Sequence, residues 1–354
     1  MSRILDYFHI TFQNKLKIYQ SSPALSSLRI FHIGGYWRGP KDIVAQMVHG
    51  LETICPNVFE FNTDENRDAL HTENRPYDRG TYGPVWLIKK KVFPLIMKYR
   101  PHLIICNAGG LSFRPKDTVA LHGLGIKLLG IALSDPAVYL PATSKIAKNF
   151  DIFFTNDINS VELYRNVGVL AYQLPFATND QFFHPVTPKP DYKCDVLHLG
   201  SAQVTRIEPI KLLIKYFDSH IHGENWENYG VENRGVIIGN ELLSALSSTK
   251  IVVVLSREPS GRHAIKPQIF DYLSAGCLVV TDDFPELHKY FDAGKELIIF
   301  EDSEDMIEKI RYYLDHPDEA HKIREAGREK VIRNYTWPKI WPGLLSLAFQ
   351  SDKK

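Results

Sequence analysis

The chain has 354 residues, 44% hydrophobic and 23% charged, with 42 basic against 41 acidic side chains and a net charge of +1. That length exceeds one ordinary α/β core and suits two domains. The balanced charge excludes a global basic field for nucleic acid.

No apolar run reaches the ~18 residues of a membrane span. The first residues, MSRILDYFHITFQNKLKIYQSS, mix polar and apolar side chains and lack the apolar core and small-residue cleavage site of a secretory signal. Their weak amphipathic pattern (Ile4, Leu5, Phe8, Phe12, Leu16) would either pack on the following domain or touch lipid, so membrane contact is peripheral at most. Cys55, Cys106, Cys194 and Cys277 are scattered, without a CxxC pair, and no metal-ligand cluster stands out. A reduced, cytoplasmic setting is expected.

From residue 28 the chain alternates short apolar runs, turns and helical stretches. Residues 28–33 (LRIFHI) read as a first strand, 43–54 (IVAQMVHGLETI) as a helix and 58–61 as a second strand. The segment 85–99 has helical spacing and should kink or split at Pro94. Strands follow at 103–106 (LIIC), leading into Asn107-Ala108-Gly109-Gly110, then at 127–131, 152–155 and 171–174. Residues 175–193 hold four prolines and little periodicity and read as a linker. The alternation then resumes, with strands at 196–199 (VLHL), 236–238 (VII), 251–255 (IVVVL) and 277–281 (CLVVT). Helices are expected at 210–217, 241–247 and 264–275, the last capped by Gly276, and a charged helix pair at 303–334. Unbroken apolar strands alternating with helices imply parallel sheets covered on both faces. The expected fold class is α/β, with two facing Rossmann-like domains. The expected divisions are an extension (1–28), an N-terminal Rossmann-like domain (29–175), a linker (176–193), a C-terminal Rossmann-like domain (194–335) and a closing segment (336–354).

Three segments could carry chemistry. Gly34 and Gly35 follow the first strand, where glycines let the backbone approach a ligand and a helix N-terminus offers N–H groups to anions. The spacing is not G-x-G-x-x-G, so the plain alternative is a tight turn. Gly200-Ser201 ends the first strand of the second half, with Arg206 five residues on. This is where open α/β sheets bind ligands, and an Arg there can grip a diphosphate; otherwise it is a surface side chain. The segment 260–283 (SGRHAIKPQIFDYLSAGCLVVTDD) places Gly261 in a loop and Lys266 and Asp271 on the helix that follows. A carboxylate there can accept ribose hydroxyls and a Lys can neutralise phosphate. Without a ligand, the two would be an ordinary solvated helix face.

The stretch from Asp195 to Trp337 resembles the C-terminal domain of group-1-type glycosyltransferases of the GT-B fold, most of all the spore-maturation CgeB-like branch. The resemblance is carried by DVLHLGSAQVTR (195–206), ELLSALSSTKIVVVL (241–255), IFDYLSAGCLVVTDDFPEL (269–287) and FEDSEDMIEKIRYYLDHPDEAHKIREAGREKVIRNYTW (300–337). Less sharply, LLGIALSDP (128–136), FDIFFTNDINSVELYRNVG (150–168) and LPFATNDQFFHP (174–185) resemble the companion domain.

The resemblance implies transfer of a sugar from a nucleotide-diphosphate sugar to an acceptor that is a glycan, protein, lipid or small molecule, with 194–335 as the nucleotide-sugar-binding domain, 29–175 as the acceptor-side domain and 336–354 crossing back to the latter. It implies a helix carboxylate at Asp271, where relatives carry Glu, on the donor ribose. Where relatives often have a second Glu, eight positions earlier, this chain has His263. Arg206 and Lys266 match the positions of cations on the diphosphate. Lacking an Asp-x-Asp pair, the chain is expected to work without a metal or other cofactor, and the helix carboxylate points to retention of anomeric configuration. On the acceptor side, His122 and Asp135 lie near strand ends and could orient a hydroxyl; as plain alternatives they are a surface histidine and a routine Asp-Pro turn. His32 and His122 are the histidines available as a base if the enzyme inverts instead. Two rival readings remain: a GT-B-like binding protein without catalysis, and a nucleotide-sugar epimerase on the same fold.

Overall fold

The computed structural model describes residues 24–36, 41–63, 65, 87–107, 113–136 and 139–350. Ala108, Gly109, Gly110 and the apolar positions of the N-terminal stretch lie outside the described residues.

The chain divides into two compact units. The first takes Asp42–Phe176, the residues before Trp37 and the final Trp337–Gln350 helix; the second takes Lys41 and Ala177–Thr336. Both sheets are parallel throughout.

The first unit holds six strands: β1 (Ile30–Gly34), β2 (Val58–Asn62), β3 (Leu103–Asn107), β4 (Lys127–Ala132), β5 (Ile152–Thr155) and β6 (Ala171–Gln173), in the order β2-β1-β3-β4-β5-β6. Every residue of β1, β3 and β5 is buried. That is why these strands read as unbroken apolar runs rather than alternating ones. Among the described residues, the longer helices between its strands are α1 (Ile43–Ile54), α2 (Phe93–Tyr99), α3 (Pro115–Gly123) and α4 (Ile158–Asn166). One face is sealed by Phe31, Ile33, Ile104 and Leu128 against Ile88, Val92 and Ile96 from the α2 region and Leu121 of α3. At Pro94 the helical run changes type rather than ending. The preceding turn, Ile88–Val92, widens to π geometry, with Phe93 N–H reaching Ile88 O, and the chain continues past the proline, which sits in the first turn of α2.

The second unit holds β7 (Cys194–Leu199), β8 (Ser219–His222), β9 (Thr249–Val254), β10 (Leu278–Asp282) and β11 (Ile298–Phe300), in the order β11-β10-β9-β7-β8. Its helices are α5 (Ile207–Tyr216), α6 (Gly239–Ser248), α7 (Pro267–Ser274), α8 (Ser303–Asp315) and α9 (Pro317–Asn334). The strand expected at 236–238 is absent. Those residues form an open loop with Val236 60% and Ile238 51% exposed, and the strand that pairs with β7 is Ser219–His222. Its sequence, SHIH, has no apolar run although His220, Ile221 and His222 are all buried: two histidines fill positions where apolar side chains would have marked a strand. The helix expected from residue 264 starts at Pro267, which fits the first helical position, where its missing N–H is no loss. Gly276 ends it at φ +80, its N–H on Leu273 O, with Cys277 N–H on Tyr272 O.

The last helix, α10 (Trp337–Gln350), belongs to the first unit. Trp341 Nε1 donates to Met47 O of α1 at 2.7 Å, Trp341 and Leu344 are fully buried, and Gly50 leaves room for Trp337.

Candidate functional site

Open parallel sheets bind ligands outside the carboxyl ends of the strands, where the strand order switches direction. In the second unit the switch lies between β7 and β9. From β7 the chain steps outward to β8, then crosses back to β9 on the other side.

At this edge Gly200-Ser201 leaves β7. Gly200 N–H donates to His222 O at 2.9 Å, and Gly200 O accepts the Trp226 indole N–H at 2.8 Å. Arg206, at the start of α5, folds back to donate from Nη1 to Ser201 O at 2.9 Å. A Cβ on Gly200 would meet Arg206 Nη1 at 3.0 Å and His198 Nε2 at 3.3 Å, so the guanidinium lies directly against the turn. Gly223 is the residue that permits this: a Cβ there would stand 2.0 Å from Gly200 O. Next, Thr205 Oγ1 donates to Arg257 O at 2.9 Å, tying the 201–206 loop to the segment after β9. That segment is a hairpin in which Arg257 pairs with His263 and Glu258 N–H donates to Arg262 O. Gly261, at φ +82, stands at its tip rather than leading into a helix. Lys266 follows as the residue before α7, its Nζ 2.9 Å from Glu258 Oε1. His263 stacks on Phe284 (5.5 Å, 9°) with Nε2 3.8 Å from Asp282 Oδ1, while Asp282 Oδ2 accepts Ser256 N–H.

One edge of the second unit therefore gathers Gly200, Ser201, Arg206, Gly261, His263 and Lys266. Two cations stand beside backbone turns there, an arrangement suited to a polyanion. Asp271, also expected here, is 7% exposed in the body of α7, and Thr178 Oγ1 donates to its Oδ1 at 2.6 Å. It is thus a buried carboxylate held by a residue 93 positions earlier, not one carried on a solvated face.

Sequence reasoning missed His198, Gly223 and Thr178. His198 is fully enclosed: Nδ1 donates to Val253 O at 3.0 Å across the switch point, and Nε2 has no hydrogen-bond partner among the described residues. Burial, with Arg206 nearby, lowers its pKa to about 4, so the ring is neutral. Only the spacing His198-Leu199-Gly200, repeated in the first half as His32-Ile33-Gly34, could have flagged it.

In the first unit the switch lies between β1 and β3. Gly34 closes β1, with a Cβ excluded by His32 Cε1 at 2.7 Å and Val44 Cγ1 at 2.9 Å, and Gly35 follows it. Asn107 Nδ2 donates to His32 Nε2 at 2.8 Å, which leaves the proton on Nδ1; burial lowers this pKa to about 3. Beside them Tyr36 donates to Glu60, whose pKa burial raises.

Asp135 lies past the carboxyl end of β4. It is 6% exposed and accepts from Thr155 Oγ1 (2.6 Å), Tyr164 OH (2.8 Å) and Thr143 Oγ1 (3.4 Å), with burial still raising its pKa. His122 lies at the opposite edge of the sheet. Its Nε2 is 3.1 Å from Asp151 Oδ2, which also accepts Leu128 N–H at the start of β4. The structure does not bring His122 to the edge that carries Gly34 and Asp135.

Among the described residues, no group of three His, Cys, Asp or Glu side chains is arranged to hold a metal, and no helix is long and apolar enough to cross a membrane.

Residues 205–346 match a family model described as glycosyl transferase-like. The chain is 18% identical over 230 residues to the spore protein CgeB of Bacillus subtilis, covering 59% of this chain and 71% of that one. Among solved structures it is similar to a glycosyltransferase from Rickettsia africae (13% identity, TM-score 0.61, 93% of this chain and 100% of that one). It is also similar to Anabaena HepE in complex with UDP and glucose (10% identity, TM-score 0.59, 92% and 100%). The fold is the GT-B fold, two parallel-sheet α/β domains.

Proposed function

We propose that the protein transfers a sugar from a nucleoside diphosphate sugar to an acceptor hydroxyl. The observation that carries this is the convergence of the Gly200-Ser201 turn, Arg206 and the Gly261 hairpin with Lys266 at the β7/β9 switch; Arg206, the hairpin and Lys266 lie inside the segment that matches the glycosyl transferase-like model, and the turn lies just before it. Anabaena HepE, similar in fold, is seen with UDP and with UDP-glucose, which supports a nucleotide-sugar donor. The finer assignment to a CgeB-like branch is supported by the likeness to the B. subtilis protein.

In this reading the diphosphate lies against the turn and the hairpin, and Asp271 accepts the ribose hydroxyls. As the bond between the anomeric carbon and the diphosphate oxygen breaks, negative charge builds on the leaving group. Arg206, Lys266 and the turn N–H groups stabilise it as fixed, preorganised positive ends. Lys266 starts from an ion pair with Glu258, so the phosphate competes with that carboxylate for it. The sequence has no Asp-x-Asp pair, and these groups take the role a metal would otherwise fill. The reaction retains anomeric configuration, the departing phosphate oxygen taking the acceptor proton on the same face. The first unit supplies the acceptor side. His32, the other histidine available as a base, is buried and neutral, its Nε2 occupied by Asn107.

The test combines titration calorimetry of UDP-, GDP- and TDP-sugars in chelator with NMR of the products. Binding that requires Mg²⁺ or Mn²⁺ would remove the metal-free reading. An inverted first-formed glycoside would remove retention. An epimerised donor formed without any acceptor would replace transfer by epimerisation, and binding without turnover would leave a binding protein.

A further inference from the structure

Asp271 is one methylene shorter than the Glu expected at its position, and it sits in the body of α7 rather than at an open helix end. What orients it comes from elsewhere in the chain. Thr178 Oγ1 lies 2.6 Å from Asp271 Oδ1, with Thr178 fully enclosed and Asp271 7% exposed.

Thr178 is itself held firmly. Its backbone N–H donates to Tyr335 O at 2.9 Å, and it pairs with Thr336 in a parallel bridge. Tyr335 packs at ring-centroid distances of 5.5 Å from Phe270, 5.5 Å from Tyr290 and 6.0 Å from Phe291. Phe270 is the residue before Asp271, so one aromatic group braces both ends of the Thr178–Asp271 bond. Ser274 Oγ donates to Phe183 O at 2.6 Å and fastens the same leading segment to α7 three residues further on.

We infer that Thr178 is a positioning residue for the donor: its hydroxyl fixes the Asp271 carboxylate in the orientation that accepts a ribose hydroxyl. This rests on the reading of Asp271 as the ribose acceptor. Thr has a stiff χ1 because it is β-branched, so once its backbone is pinned its hydroxyl has one direction to give. A hydroxyl–carboxylate hydrogen bond is charge-assisted, and at 2.6 Å it is of the short, strong kind. The carboxylate's remaining acceptor capacity is then directed rather than free to rotate. Preorganisation of this sort is felt as discrimination between a nucleotide with the hydroxyl and one without it, more than as overall affinity.

The experiment measures the affinity of the full-length protein for UDP and 2′-deoxy-UDP, and for GDP and 2′-deoxy-GDP, in wild type, Thr178→Val and Thr178→Ser, with melting temperatures alongside. Wild type is expected to prefer one ribonucleotide over its deoxy form about tenfold, a difference of ~1.4 kcal/mol. Thr178→Val should bring that ratio near one by weakening only the ribonucleotide, and Thr178→Ser should restore it. A Val variant that keeps the wild-type ratio overturns the positioning role while leaving Asp271 on the ribose. Equal losses for both nucleotides, with a lowered melting temperature, make the bond a latch for the fold and overturn it too. A wild-type ratio near one removes the ribose reading of Asp271 and this inference with it. No binding of either ribonucleotide removes the proposed donor altogether.

Discussion

The first strands of the two sheets end in the same way and serve different ends. β1 closes with His32-Ile33-Gly34 and β7 runs out through His198-Leu199-Gly200. Each glycine stands at the switch point of its sheet, and each histidine is buried, neutral, and bonded through one ring nitrogen to the strand across the switch: Asn107 of β3 in one case, Val253 of β9 in the other. The surroundings of the glycines differ. Gly34 is walled by a ring carbon of His32 and a methyl of Val44, both buried. Gly200 faces the end of an Arg side chain and a ring nitrogen. One edge is packed shut where its twin is lined with groups that can meet an anion, so the strand-end motif alone does not make a site; what packs beside the glycine does.

The largest effect that would break this comparison lies at the end of the chain. Deleting everything after Tyr335 removes α10, with fully buried Trp337, Trp341 and Leu344, from the first unit. Cooperative unfolding of that unit should be lost, while the second unit still melts as a separate transition by calorimetry. Trp341→Ala alone should cost about 3–5 kcal/mol. A truncated protein with two intact transitions would make α10 dispensable.

The glycines test the comparison directly. Gly34→Ala forces a Cβ to 2.7 Å from His32 and 2.9 Å from Val44 and should cost about 3 kcal/mol of stability through overpacking. Gly200→Ala meets the far end of the Arg206 side chain at 3.0 Å and His198 only at 3.3 Å, so stability should change by less than about 1 kcal/mol. Nucleotide affinity should fall roughly tenfold as Arg206 is displaced. Chemical denaturation and calorimetry on both variants read the contrast, and matched losses of stability would erase it.

The buried carboxylates extend it. Asp135→Ala leaves the buried Thr155 hydroxyl without its acceptor and removes one of the two acceptors around Tyr164 OH, the other being Thr143 Oγ1, and should cost about 2 kcal/mol of stability. Asp271→Ala should weaken nucleotide binding by about 1.5–3 kcal/mol, the range for hydrogen bonds to a charged group. Intact nucleotide affinity in Asp271→Ala would make both carboxylates structural. Arg206→Ala and Lys266→Ala should lower turnover more than affinity, since fixed cations count most where charge develops; steady-state and binding data on the same variants separate the two.

Much of the fold was legible because parallel strands buried on both faces must be apolar along their whole length, which is how β3, β4, β5 and β9 declare themselves. β8 did not, since two of its buried positions are histidines, which carry no apolar signal. The apolar 236–238 run misled in the opposite sense, being exposed loop. At the site, Gly200, Ser201 and Arg206 could be read because they are close in sequence. Thr178 beside Asp271 and Gly223 beneath Gly200 are joined only by the folded chain, and nothing local to Thr178 marks it as a carboxylate's partner. His122 misled because nearness to a strand end does not say which end.

The smallest effect is one of pH, and it asks whether the two histidines behave alike. His32 is lowered to about 3 and His198 to about 4 in the folded protein, against an ordinary value of 6.5 in the unfolded chain. A lowered folded pKa means the unfolded chain binds protons first as the pH falls. Stability is therefore complete above about pH 6.5 and drains away below it, down to the folded values. On the order of 1–2 kcal/mol per histidine should disappear between pH 7 and 5. Replacing His32 by Gln keeps an acceptor for Asn107 Nδ2 but cannot titrate, and should flatten the first unit's share of the pH dependence. His198→Gln should do the same for the second unit. His198 differs in one respect: Arg206 adds to its shift. An anion bound against Arg206 should offset that contribution, so added nucleoside diphosphate should raise the folded pKa of His198 and leave His32 where it is. NMR titration of the two rings with and without UDP measures this. Equal movement of both, or of neither, would mean that Gly200 is no more a ligand edge than Gly34.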